Sequence, residues 1–137
     1  VYAIAFYVLL LSAGALAFQR GGRAEKRAVC TLVIYSVAYS VVSIDIDLDQ
    51  MHPSLLLLDL AFLTALCWLT LRSTRLWLPI AMGLQIDCVL AHLARVLDPT
   101  MPAWSYALLL QVWTWLIVLT LLIGSLRRVP SAASETI

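Results

Sequence analysis

Five polar side chains stand inside two neighbouring apolar runs: Asp59 in the first, and Gln85, Asp87, His92 and Arg95 in the second. Away from water, a carboxylate, an imidazole and a guanidinium can pass a proton, hold a cation, or pair with one another. Only Arg72-Ser73-Thr74-Arg75 separates the two runs, so they are expected to form an antiparallel hairpin. Counted from that turn at about 1.5 Å per helical residue, Asp59 stands roughly 18 Å above Leu71 and Asp87 roughly 16 Å above Leu76. The two acids therefore share a level slightly outside a bilayer's midplane, with His92 and Arg95 nearer the outer surface.

Two acids at one depth repel, which favours a proton or a cation shared between them. One reading makes Asp59 and Asp87 a proton-exchanging or cation-binding pair, tuned by His92 and Arg95. The other makes the cluster an interhelical or intersubunit tie, for instance an aspartate with Arg95, that fixes helix register. Shared depth does not by itself make the two acids face each other. Around the second run, at about 100° per residue, Gln85, Asp87, Cys88, Ala91, His92 and Arg95 fall within an arc of roughly 160°. Met82, Ile86, Val89, Leu90, Leu93, Val96 and Leu97 cover most of the rest.

Other constellations are weaker. Asp45, Asp47 and Asp49 form an acidic loop that would attract cations. It is no EF-hand, because the sixth position is Gln50 and the twelfth Leu56. A loose cation site with His52 is the residual reading of that loop. No cofactor is expected; a haem held by His52 and His92 would need a loop histidine and a helical one in a single pocket. Ser36, Ser40 and Ser43 recur at i, i+4, i+7 beside Tyr35 and Tyr39, and Ala13, Gly14 and Ala17 line an earlier run. Small and hydroxyl residues in such stripes read as helix-packing seams. Gln111, Thr114 and Trp115 share one face and are expected to point toward the Asp59 cluster or a neighbouring subunit. Trp113 and Trp115 read as packing or lipid-facing rings. Cys30, Cys67 and Cys88 lie in apolar runs without CxxC spacing and read as small packing residues.

The elements that must hold these groups follow from composition. The chain of 137 residues is 63% apolar and 12% charged, whereas soluble domains run at roughly 45–50% and about 25%. A soluble fold of this size has too little interior for so much apolar surface, so lipid is the expected solvent. At about 20 residues per crossing, five spans are expected, at 1–18, 28–44, 54–71, 76–97 and 106–126, in one all-α transmembrane domain over 1–128 with a short cytoplasmic tail at 129–137. Residues 1–18 lack a basic leader and precede arginines, which suits a retained span better than a signal peptide. Pro53 suits a helix start, and Asp98-Pro99-Thr100-Met101-Pro102 ends the fourth helix. A rival topology makes the fourth helix re-entrant, since it carries Pro79 and the polar cluster, but Pro79 falls in the first turn, where proline does least harm.

Charge gives the direction. With five spans, Arg20, Arg23, Lys26, Arg27, Arg72, Arg75, Arg127 and Arg128 share one side, and Asp45, Asp47, Asp49 and Asp98 the other. The positive side is expected inside, giving N-out and C-in. A four-span chain without the fourth helix would strand Asp98 and Trp104 among the arginines. Trp77, Trp104, Tyr106 and Tyr2 fall near span ends, as interfacial aromatics do. The net charge of +1 gives no reason to expect nucleic-acid binding.

The sequence contains no GxSxG, HExxH, P-loop, dinucleotide turn or CxxCH. A non-enzymatic role is therefore expected. The leading expectation is a structural or accessory subunit of a membrane assembly, a homo-oligomer or a larger complex. The alternative is a proton- or cation-conducting channel or transporter subunit using Asp59 and Asp87. Arginine, alanine and leucine usage suggests a GC-rich genome and a bacterial cytoplasmic membrane.

Overall fold

The computed structural model of the chain describes residues 2–45 and 52–127. They form five α-helices: α1 (Tyr2–Arg20), α2 (Arg23–Val42), α3 (Pro53–Leu71), α4 (Trp77–Leu97) and α5 (Ala103–Leu126). A single 3-10 turn, Ser43–Asp45, follows α2, and no strand occurs among the described residues. Three helices, α3, α4 and α5, are long and apolar enough to cross a membrane. Asp47, Asp49, Arg128 and the 129–137 tail lie outside the described residues.

Helix boundaries differ from the hydropathy reading where polar residues are helical. α2 begins at Arg23 rather than residue 28. Gly22 precedes it, and the Glu25 carboxylate accepts the Gly22 N–H at 2.9 Å, satisfying a donor that the helix start would otherwise leave open. Gly21 makes the preceding reversal. A Cβ there would lie 2.4 Å from the Ala17 carbonyl oxygen and 2.7 Å from Glu25 Cβ. α5 begins at Ala103 rather than 106, directly after Pro102. α4 runs unbroken from Trp77 to Leu97 with Pro79 in its first turn.

The helices close into a ring in which α1 packs on α2, α2 on α3, α3 on α4, α4 on α5, and α5 back on α1. Each contributes one narrow stripe. On α3 it is Leu55, Asp59, Phe62, Leu66 and Leu69; on α4 it includes Leu78, Ala81, Gln85, Cys88, His92 and Arg95. Both follow the alternating three- and four-residue spacing of a seam between nearly parallel or antiparallel helices. The seam of Ala13, Gly14 and Ala17 is buried, and a Cβ on Gly14 would touch Val29 at 3.4 Å.

The two ends of the ring are built differently. Toward the arginine-bearing end, Ala13, Ala17, Val29, Leu32, Leu66, Leu69, Leu78, Ala81, Val118 and Leu121 make a tight apolar core. Toward the other end, the interior holds Asp59, Gln85, His92 and Arg95.

Candidate functional site

Asp59 is the hub of that polar interior. Its place on the α3 stripe turns it into the ring, and Phe62, one turn on, stacks on Tyr35 of α2 with centroids 4.5 Å apart. The stack aims the Tyr35 hydroxyl, which donates to Asp59 Oδ1 at 2.5 Å. From α4, Gln85 Nε2 donates to the same oxygen at 2.9 Å and to the Asp59 carbonyl at 3.3 Å. His92 Nε2 lies 2.5 Å from Asp59 Oδ2. Behind it, the Tyr106 hydroxyl of α5 lies 2.5 Å from His92 Nδ1. All five residues are buried, and they come from four helices.

The direction of these bonds depends on the charge on His92. With the ring neutral, Nε2–H donates to Asp59 and the Tyr106 O–H donates to Nδ1. With the ring charged, both nitrogens donate and the Tyr106 oxygen accepts. In the charged form the Tyr106 O–H gives up Nδ1 as its acceptor and turns to another. Arg95, buried one turn beyond His92, holds its guanidinium 5.9 Å from the Tyr106 ring centre.

Asp59 also forms part of the wall of a cavity of about 600 Å³. α1 contributes Phe6 and Tyr7; α2 contributes Tyr35, Ser36, Tyr39, Ser40 and Ser43; α5 contributes Gln111, Thr114 and Trp115. The Tyr7 hydroxyl hydrogen-bonds the Ser40 hydroxyl across the α1–α2 seam. The cavity residues lie toward the end of the ring opposite the α1–α2 and α3–α4 turns.

The residues singled out by sequence thus divide. Asp59, Gln85 and His92 come together, with Arg95 beside them. Asp87 stands apart: it is half-buried, and two residues along a helix place it about 160° around α4 from Gln85. It therefore cannot meet Asp59 on the side where Gln85 and His92 do. Ser36, Ser40 and Ser43 face the cavity, as do Gln111, Thr114 and Trp115. His92 commits both ring nitrogens to Asp59 and Tyr106, and His52 precedes the first turn of α3. The acidic loop at Asp45, Asp47 and Asp49 falls outside what the side-chain structure describes. Asp98 ends α4; hydrogen bonds from the Thr100 hydroxyl and then its N–H hold its carboxyl below the usual carboxylate range.

Two groups escaped the sequence reading. Tyr35 and Tyr106 were legible only as aromatics, because nothing in spacing says that their hydroxyls meet Asp59 and His92. Glu25 was hidden among four basic neighbours. It is 1% exposed, accepts from Gly22 N–H, lies 3.3 Å from Arg75 Nε, and takes the Trp77 indole N–H at 3.5 Å. That cluster joins the α1–α2 reversal to the α3–α4 turn at the arginine-bearing end.

Against known proteins, no family model, no curated protein and no solved structure matches this chain.

Proposed function

We propose that this chain is a five-span protein of a bacterial cytoplasmic membrane, N-out and C-in, that admits a small polar or cationic solute, the proton included, to Asp59 through the cavity of its outer half. One observation carries the reading: a buried carboxylate held by three side-chain partners, one of them a histidine hydrogen-bonded at both ring nitrogens, lines a cavity rather than solid core. A buried acid costs about 2.5–3.5 kcal/mol on insertion scales, and intramembrane acids of this kind commonly mark ion and proton paths. Five short helices enclose little room for a complete pathway, so the chain works as a homo-oligomer or within a larger membrane assembly.

A second reading, the structural or accessory subunit, has its own support. The network links α2, α3, α4 and α5, which is what a register-fixing tie would do. Reconstitution into liposomes with an internal pH dye separates the two. Solute entry predicts proton or cation flux that Asp59→Asn abolishes and Asp87→Asn leaves nearly intact. A silent wild type, with Asp59→Asn only losing oligomers on a native gel, would favour the structural role.

A further inference from the structure

We propose that the cavity binds an organic cation: an ammonium group on a compact hydrocarbon body. This deepens the reading that the cavity admits solute to Asp59, and rests on it. Three features of the lining select the class. Charge comes first. Of the described lining residues Asp59 alone bears a charged group, and it is an acid. Its three side-chain donors leave about one of a carboxylate's four acceptor sites open.

The second feature is the rings. Phe6, Tyr7, Tyr35, Tyr39 and Trp115 all line the space, and aromatic faces carry negative potential that attracts ammonium groups within about 6 Å. Phe6 of α1 and Trp115 of α5 approach with centroids 6.0 Å apart, and Tyr35 and Tyr39 of α2 with 5.9 Å, so the rings form two groups rather than scattered contacts.

The third is the orientation of the hydroxyls. A serine-lined cavity could suggest a sugar. Here Ser36, Ser40 and Ser43 donate their protons to the carbonyls of Leu32, Ser36 and Ser40, at 2.8, 2.8 and 3.1 Å. Their hydroxyls are left to offer lone pairs, not protons. The serine acceptors, the rings and the one acid suit a cation, and the acid repels an anion. A volume of about 600 Å³ falls within the usual range of small-molecule sites, roughly 300–1,000 Å³.

The test is calorimetric titration of the full chain in lipid nanodiscs with benzyltrimethylammonium, against benzyl alcohol and phenylacetate, with empty discs as blank. Saturable binding of the cation alone is expected. Trp115→Leu and Tyr39→Leu should each weaken it by about three- to thirtyfold, and Asp59→Asn should abolish it. Folding of each variant is checked by its thermal midpoint; the two ring variants keep the test alive if Asp59→Asn does not fold. Equal affinity for benzyl alcohol, unchanged binding in both ring variants, or no saturable binding by the wild type would overturn the proposal. Proton flux without cation binding sinks the ligand class and leaves the solute-entry reading standing. Binding without flux upholds the cation site and solute entry to Asp59, and overturns only passage across the membrane.

Discussion

Tyr106 shows how much depends on one hydroxyl. Its oxygen is the partner of His92 Nδ1, and His92 is fully buried. Tyr106→Phe keeps the ring and its edge-on contact with the imidazole but leaves that nitrogen without this bond in a dry interior. A buried polar atom left open costs about 1–3 kcal/mol, so the variant is expected to unfold in detergent with a midpoint lowered to match. An unchanged midpoint would mean that water or another group already serves Nδ1. Asp87 makes the opposite case. Half-buried and on another flank of α4, it can be neutralised as Asp87→Asn with little change in stability. Depth along a helix could be counted from the sequence, and it put both acids at one level. Azimuth decides which of them meets His92, and the spacing held that too: Gln85, Cys88, His92 and Arg95 repeat at three and four residues, with Asp87 off the line. What no spacing could supply was the partner on α2 or α5, because ring order is set by packing among helices distant in sequence.

At the scale of helices, turns and close approaches do the positioning. Gly124 of α5 packs against Trp77 of α4, where an added Cβ would lie 2.5 Å from Trp77 Cδ1. Gly124→Ala is expected to cost about 1–3 kcal/mol through overpacking, with part of the loss recovered by Trp77→Leu in the same chain. Gly83 is the internal control. Nothing lies within 4 Å of a Cβ there, so Gly83→Ala should be neutral or stabilising by up to about 1 kcal/mol from helix propensity. Matching losses at both glycines would refute the packing argument. The first turn of α2 marks the limit of hydropathy. Arg23, Glu25, Lys26 and Arg27 read as a polar loop, yet they are helical, because a helix start needs satisfied N–H groups rather than apolar residues. The interior helix limits, by contrast, were plain: Pro53, Leu71 and Leu97 fall at element ends as the proline and turn chemistry implied.

Large apolar side chains stand exposed on all five helices. Leu57, Leu71, Leu76 and Leu97 are each about two-thirds or more exposed, at 66%, 82%, 83% and 77%. Water would penalise that surface by roughly 25 cal/mol per Å², while lipid accepts it. Orientation is open to direct measurement. In a chain freed of Cys30, Cys67 and Cys88, single cysteines at Gln19 and Thr74 are expected to react with an impermeant maleimide from the same side of sealed vesicles, and one at Thr100 from the other. Labels on opposite faces at positions 19 and 74 would dismantle the five-span reading.

The tight packing beneath the cavity has a kinetic corollary. On the solute-entry reading, a vestibule with a closed floor would not stream ions; one occupant would cross per rearrangement of the lower helices. Such motions run on microsecond-to-millisecond or slower timescales, so turnover would level off with concentration and climb steeply on warming. On the solute-entry reading, the contacts that would have to loosen are the indole wedged on Gly124 and the guanidinium resting on Glu25. Loosening either should speed leakage while leaving the chamber's selectivity untouched.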